Sequence, residues 1–156
     1  MTYALLVYAL LVALFPKRIR DPFDGAPYLT RYFLLRSPWL NVFLHHIHSA
    51  DKDRHMHNHP WSWSWSIILR GGYLEERLPR AERMYWPWQK NTLTTAAYHR
   101  IKYVRPNTWT LFVAGRYEKS WGFLVDGVHV DSETYLEDTE HGRYRPPVPP
   151  SPPPGR

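Results

Sequence analysis

His57 and His59 stand one residue apart in Asp53-Arg54-His55-Met56-His57-Asn58-His59-Pro60-Trp61. In extended chain, residues separated by one point to the same side, so both imidazoles can reach one metal ion. A third, distant histidine completes a facial set and leaves positions open for water, oxygen or substrate. His99, in Ala97-Tyr98-His99-Arg100-Ile101, is the expected third ligand. Other histidines crowd the same region: His45, His46, His48 and His55. His46, His48 and His55 read as ordinary half-exposed strand or loop residues. His45 shares a face with Phe43 and Ile47, so it either lines a pocket or packs in the core.

The elements that must hold these groups read as strands. Aromatics make up 16% of the chain, with 8 Trp and 11 Tyr, and aromatic side chains pack well on a pleated surface. Residues 41–48, 62–69, 100–104, 108–113, 120–125 and 128–130 are rich in Val, Ile, Tyr, Trp and Phe,. Gly71-Gly72, Pro106-Asn107 and Asp126-Gly127 supply turns, the last a strong hairpin signal,. Residues 74–83 are the best short exception with helical periodicity. Many short strands at close spacing predict an all-β sandwich or barrel.

The 156 residues suffice for one domain with a real core,. There is no cysteine, which excludes disulfides, thiolate metal sites and cysteine nucleophiles,. The net charge of +6 is dispersed. Lys17, Arg18 and Arg20 against Asp21 and Asp24 leave +1 in residues 1–24; Arg143, Arg145 and Arg156 give the tail +3, so about +2 remains for the body,. Nucleic-acid binding is not expected from such a distribution.

Residues 1–24 form an apolar N-terminal segment with a basic flank. The apolar run 2–15 is short for a membrane span, which needs roughly 20 residues. Its positive charge follows the run instead of preceding it, unlike a secretory signal. Three readings stand: a short anchor, a docking helix for the domain or a partner, or an upstream extension from a misassigned start. Residues 143–156 hold Pro146, Pro147, Pro149, Pro150, Pro152, Pro153 and Pro154, and are expected to form a disordered polyproline tail,. The folded domain is expected over 25–142.

The context of His57 resembles the first motif of the cupins, His-x-His, three or four residues, Glu, six residues, Gly. Here His59 is followed by four residues, Ser64, six residues and Gly71. The register matches, with serine where cupins place a carboxylate ligand. The second cupin motif, aligned on His99, retains only that histidine. The chain is also similar to small cupin-like proteins of bacteriophage and bacterial genomes. It shares with them Leu44-His45, Asp51-Lys52-Asp53-Arg54, His57-Asn58-His59-Pro60-Trp61, Leu69-Arg70-Gly71-Gly72-Tyr73, His99-Arg100-Ile101 and Trp121-Gly122-Phe123. The resemblance implies a double-stranded β-helix, the cupin or jelly-roll barrel. It also implies likeness to three-histidine cupins such as cysteine dioxygenase.

Three neutral imidazoles leave a divalent ion its full +2 charge, which attracts an anionic substrate and acidifies bound water. Iron(II) is the expected metal, with zinc, nickel or manganese as alternatives. Asn58 lies between the histidines, points away and is neutral, so the His-x-Asp pattern of 2-oxoglutarate oxygenases is not met. Ser64, Ser66, Ile68 and Arg70 share one strand parity; Arg70 at the pocket mouth would hold a carboxylate or phosphate in a bidentate fork. Tyr103 shares the parity of His99 and would donate to a bound ligand. Trp61, Trp63 and Trp65 read as packing residues.

The expected function is a mononuclear metal-binding cupin, an iron(II)-dependent dioxygenase-like enzyme for a small anionic substrate. The alternatives are a sugar-nucleotide epimerase or isomerase cupin, and a non-catalytic binding or virion-associated module. A homodimer is a further expectation. The expected location is the cytoplasm, the host's for a phage-encoded protein, or the membrane through residues 2–15.

Overall fold

The computed structural model describes residues 15–21, 24–79 and 81–140. The apolar helix expected over 2–15, Phe15 apart, and the proline-rich tail from 143 lie outside those residues. In chain order the described elements are β1 (Lys17–Arg20), β2 (Pro27–Arg36), β3 (Asn41–Ile47), β4 (Trp63–Arg70), β5 (Tyr73–Arg77), β6 (Ala81–Tyr85), β7 (Lys90–Thr94), β8 (His99–Val104), β9 (Thr108–Ala114), β10 (Gly122–Val125), β11 (Val128–Asp131) and α1 (Ser132–Glu140). The expected all-β character holds.

β1-β2-β3-β9-β4-β7 form one antiparallel sheet. β6-β5-β8 and the β10-β11 hairpin form two smaller ones. His57 joins the smaller pair, because its backbone bridges His99 on β8 and Phe123 on β10. The segment that carries the predicted ligands is thus itself a strand-like stitch.

Period-two alternation sets which face is buried. Phe43, His45 and Ile47 on β3 are buried, as are Ser64, Ser66 and Ile68 on β4. One core cluster gathers Leu29, Ile47 and Ile68 from the six-stranded sheet and Tyr73, Tyr85 and Ile101 from β6-β5-β8. A second holds Phe43, Phe112 and Ala114, with Phe33 and Trp61 packed against it. Each such aliphatic or aromatic burial stabilises by roughly 1.5–3 kcal/mol.

The turns follow local chemistry. Asp126 and Gly127 both take positive φ (49° and 81°), the geometry of a two-residue hairpin turn,. Gly71 has φ 78°, and a Cβ there would meet the Thr108 backbone at 2.7 Å. That approach lets the Gly72 N–H reach Thr108 Oγ1 at 3.0 Å, tying the β4–β5 turn to β9.

Two readings of the sequence need correction. Residues 74–83 form the β5–β6 hairpin and no helix. Leu74 pairs with Met84 and Tyr103, and burial alternates at Tyr73 and Glu75. Pro79 also lacks the N–H that a helix interior requires,. Conversely, α1 was not anticipated, because its sequence is mostly polar. One aromatic anchors it: Tyr135 is fully buried and stacks on Phe123 at 3.7 Å. Asp131 Oδ1 accepts from the Glu133 N–H at 3.1 Å and caps the first turn,. β1 lies before the expected domain start at residue 25 and joins the main sheet as its edge strand.

Candidate metal centre

Backbone hydrogen bonds place His57 and His99. The His57 N–H donates to His99 O and the His99 N–H to His57 O, both at 2.9 Å. The Leu124 N–H donates to Met56 O, and the Asn58 N–H to Gly122 O. Asn58, fully buried, points away from the imidazoles as expected. Its Oδ1 accepts from the Gly122 N–H at 2.9 Å, so it fastens the ligand segment to β10.

The imidazoles of His57, His59 and His99 converge. Their ligand atoms lie within 4.8 Å of one another, and His99 Nε2 lies 2.9 Å from His59 Nε2. Two nitrogens each roughly 2.1 Å from a shared ion would stand about 3.0–3.4 Å apart. The donors therefore fit a divalent metal. Burial pulls His57 down to about 4 and His59 well below its usual range. Both are neutral at pH 7, which is the form a metal requires.

Behind His99 stands a group that sequence reading missed. Glu75, 2% exposed, lies 2.6 Å from His99 Nδ1, a short contact bent off the ring N–H axis. A carboxylate there favours the Nδ1–H tautomer and turns the Nε2 lone pair toward His59. Glu75 is itself held by Arg77 Nη2 at 2.7 Å and Asn91 Nδ2 at 3.1 Å. Burial raises its pKa, but His99, Arg77 and Asn91 outweigh that and hold it below the usual range. The available signal was parity: Glu75 stands two residues from the buried Tyr73.

The three imidazoles open on a cavity of about 530 Å³ lined by the six-stranded sheet and by β5 and β8. Trp61, Phe112 and Trp121 give it aromatic walls; Lys17, Arg31 and Tyr28 give it polar ones. Of the alternating tryptophans only Trp61 lines it; Trp63 is exposed and Trp65 lies under Lys90.

The structure does not bring Arg70 or Tyr103 to the cavity. A register shift between Ile68 and Arg70 breaks the parity that made Arg70 point inward, and Arg70 is exposed,. Tyr103 is half-buried, pairs with Leu74, and does not line the cavity. Ser64 is buried off the cavity with its Oγ unpartnered. His48 is exposed beside Thr30, and His55 meets Tyr135 at 3.1 Å.

Beside the cavity, Tyr28 donates to Asp51 Oδ1, and Asp51 Oδ2 accepts from the Ile101 N–H at 2.6 Å. Asp53 is less well served: its Oδ1 is buried without a partner. Burial, then Asp51 and Asp21, push its pKa up to about 7. The folded state thus binds a proton that the unfolded state releases near pH 4, so stability falls as pH rises between the two values. Asp53→Asn is expected to match the parent near pH 4 and exceed it at pH 8 by on the order of 2 kcal/mol, after allowing for solvent screening. Thermal melts across that range check it; equal Tm values at pH 8 count against it.

No protein-family model matches the sequence, and no curated protein matches it significantly. Solved structures do. A candidate mannose-6-phosphate isomerase from Ralstonia eutropha JMP134 superposes with TM-score 0.53 at 18% identity, over 64% of this chain and 99% of that one. A Streptomyces PAC13 variant with uridine gives 0.52 at 10%, over 76% and 90%. Iron(II) HppE gives 0.50 at 12%, over 64% of this chain and 56% of its own. The fold is cupin-like. Within this fold the three histidines line the same cavity, and their ligand atoms converge. Among the described residues, no helix is long and apolar enough to cross a membrane.

Proposed function

We propose that the protein is a mononuclear iron(II) enzyme that acts with dioxygen on a small anionic substrate, in the manner of three-histidine cupins. The observation that carries this reading is the convergence of His57, His59 and His99 on one wall of the cavity. A bound ion supplies Lewis acidity and redox chemistry with positions open to ligands. The protein's residues do the rest. Neutral imidazoles leave the site's charge uncompensated and favour an anion. Glu75 fixes the orientation of His99. Trp61, Phe112 and Trp121 give the cavity apolar walls. Tyr73 accepts from Asn91 at 2.9 Å, and burial raises its pKa, so its proton stays in place.

An isomerase or epimerase cupin needs a free base in the cavity. Four imidazoles line it, and all are engaged: three converge on one another and His45 accepts from Arg31. That favours the metal reading over acid–base chemistry by an unassisted histidine. Zinc, nickel and manganese accept the same donors. Protein purified without added metal is expected to carry about one iron per chain by mass spectrometry. It is also expected to consume oxygen with a member of a panel of small carboxylates and thiol-carboxylates. Failure to bind any divalent ion on reconstitution would overturn the proposal. Stoichiometric metal with no oxygen uptake on any substrate would favour the binding-module alternative.

A further inference from the structure

The outer face of the six-stranded sheet departs from the alternation that a half-solvated antiparallel sheet normally shows. His45 on β3, Thr110 and Phe112 on β9, and Ser66 on β4 turn inward and line the cavity. Their neighbours in sequence turn outward, where water favours polar side chains. Here they are apolar. Cross-strand register sets Tyr32, Leu44, Leu111 and Ile67 in one row across β2, β3, β9 and β4. Val42, Val113 and Trp65 form a second row beside it. No charged residue stands in either row, and neither row belongs to the two core clusters.

Polar groups stand at the margins. Lys90 lies 5.0 Å over the Trp65 ring, and His46 stacks on Trp109 at 4.3 Å. An uncharged centre with a polar rim is the pattern of a surface that meets an apolar partner. Of the two rows only Val113 is buried; the other side chains are half-buried. The one described helix, α1, lies elsewhere, against β10 and β11.

We propose that the apolar run 2–15 of the same chain docks on this face. The run carries no charged side chain, so neither surface brings a charge to be desolvated,. The point of entry suits it. β1 pairs with β2 from Lys17↔Arg31 onward, so the run reaches the sheet beside Tyr32, where the first apolar row begins. There β2 continues past β1, and its Leu34 and Leu35 are exposed, as is Phe15 at the end of the run.

Length suits it too. At the helical rise of ~1.5 Å per residue the run spans about 21 Å, and more if extended, against about 14 Å across four strands spaced ~4.8 Å apart. It is shorter than the roughly 20 residues of a membrane span. Docking covers two apolar surfaces with one contact, and the tether makes it intramolecular, independent of protein concentration. A second copy on the sheet would leave the run itself uncovered.

The test is photo-cross-linking in the full chain, with p-benzoylphenylalanine in place of Tyr3, Leu6 or Tyr8 in turn, to sample more than one side of the run. An equal mixture of protein of natural isotope content and protein labelled with nitrogen-15 is irradiated, and cross-linked peptides are read by mass spectrometry. Links to peptides of β3, β9 or β4 are expected, within light copies and within heavy copies. Links between light and heavy copies overturn the proposal in favour of a second copy. Links that miss the outer face from all three positions, or no links, overturn it outright. Loss of the links on adding vesicles of phosphatidylcholine and phosphatidylglycerol overturns it in favour of a membrane.

The absence of native cysteine allows a second measurement. The thiol of Leu44→Cys is expected to react with a maleimide about ten-fold more slowly, or slower still, than that of Lys119→Cys on an exposed loop,. Leu6→Asp with Leu10→Asp should remove most of that protection and leave the metal content unchanged, because the docking face lies on the opposite side of the sheet from the cavity. Equal rates at the two thiols, or protection that survives the double substitution, overturn the proposal.

Discussion

Replacement of His99 by alanine is expected to abolish stoichiometric metal binding. His99 Nε2 lies 2.9 Å from His59 Nε2, so the two nitrogens form the closest pair of the proposed set. Without it the ion keeps two imidazoles and loses the ligand that Glu75 orients. The loss should exceed the roughly 10- to 100-fold change typical of removing an outer partner. His57→Ala is expected to behave alike. His48→Ala is the control, since His48 is exposed and bonded to Thr30. Metal-to-protein ratios after equilibration and desalting check this, with Tm recorded for each variant. Equal loss from all three would mean general unfolding, and no loss from His99→Ala would end the three-histidine reading.

Substitution of Glu75 is expected to act on both affinity and stability. Glu75→Gln keeps the volume and removes the charge that holds the His99 Nδ1 proton, so metal affinity should fall roughly 10- to 100-fold. Glu75→Ala should also unfold more readily, by about 3 kcal/mol, because it leaves Arg77 and Asn91 facing a buried void,. The pH dependence has a definite sign. The folded-state pKa of Glu75 is depressed, so its contribution is present above the ordinary value of 4.5 and is lost as pH falls through the folded value,. The variants should therefore differ most from the parent at neutral pH and converge in acid. Urea melts at pH 7 and pH 3 would show this; an equal gap at both would assign Glu75 a packing role only.

Some of this molecule was legible residue by residue. The His57-x-His59 spacing, the outward turn of Asn58 and the Asp126-Gly127 hairpin all follow from local rules. A period of two fixes side-chain direction within one strand, and positive φ selects the turn residues. Such rules need no knowledge of neighbours. Extrapolation failed where the ladder is irregular. The parity argument carried Arg70 inward from Ser64, but the shift between Ile68 and Arg70 cancels it.

The partners across the barrel were decided by the tertiary structure alone. Glu75 reaches His99 because β5 pairs with β8, with Arg77 opposite His99. Arg31 meets His45 because β2 pairs with β3, which sets those two residues opposite one another. β5 and β6 form a hairpin because Tyr73 and Glu75 are buried at a period of two and β8 pairs with β5, so the face that a helix would have turned outward is buried in the sheet,. By itself the sequence determined the strand-rich fold class and the histidines able to bind a metal. Which charges stand behind and beside those histidines depends on strand order and register. These are set by burial summed over the whole sheet, and no local window contains that sum.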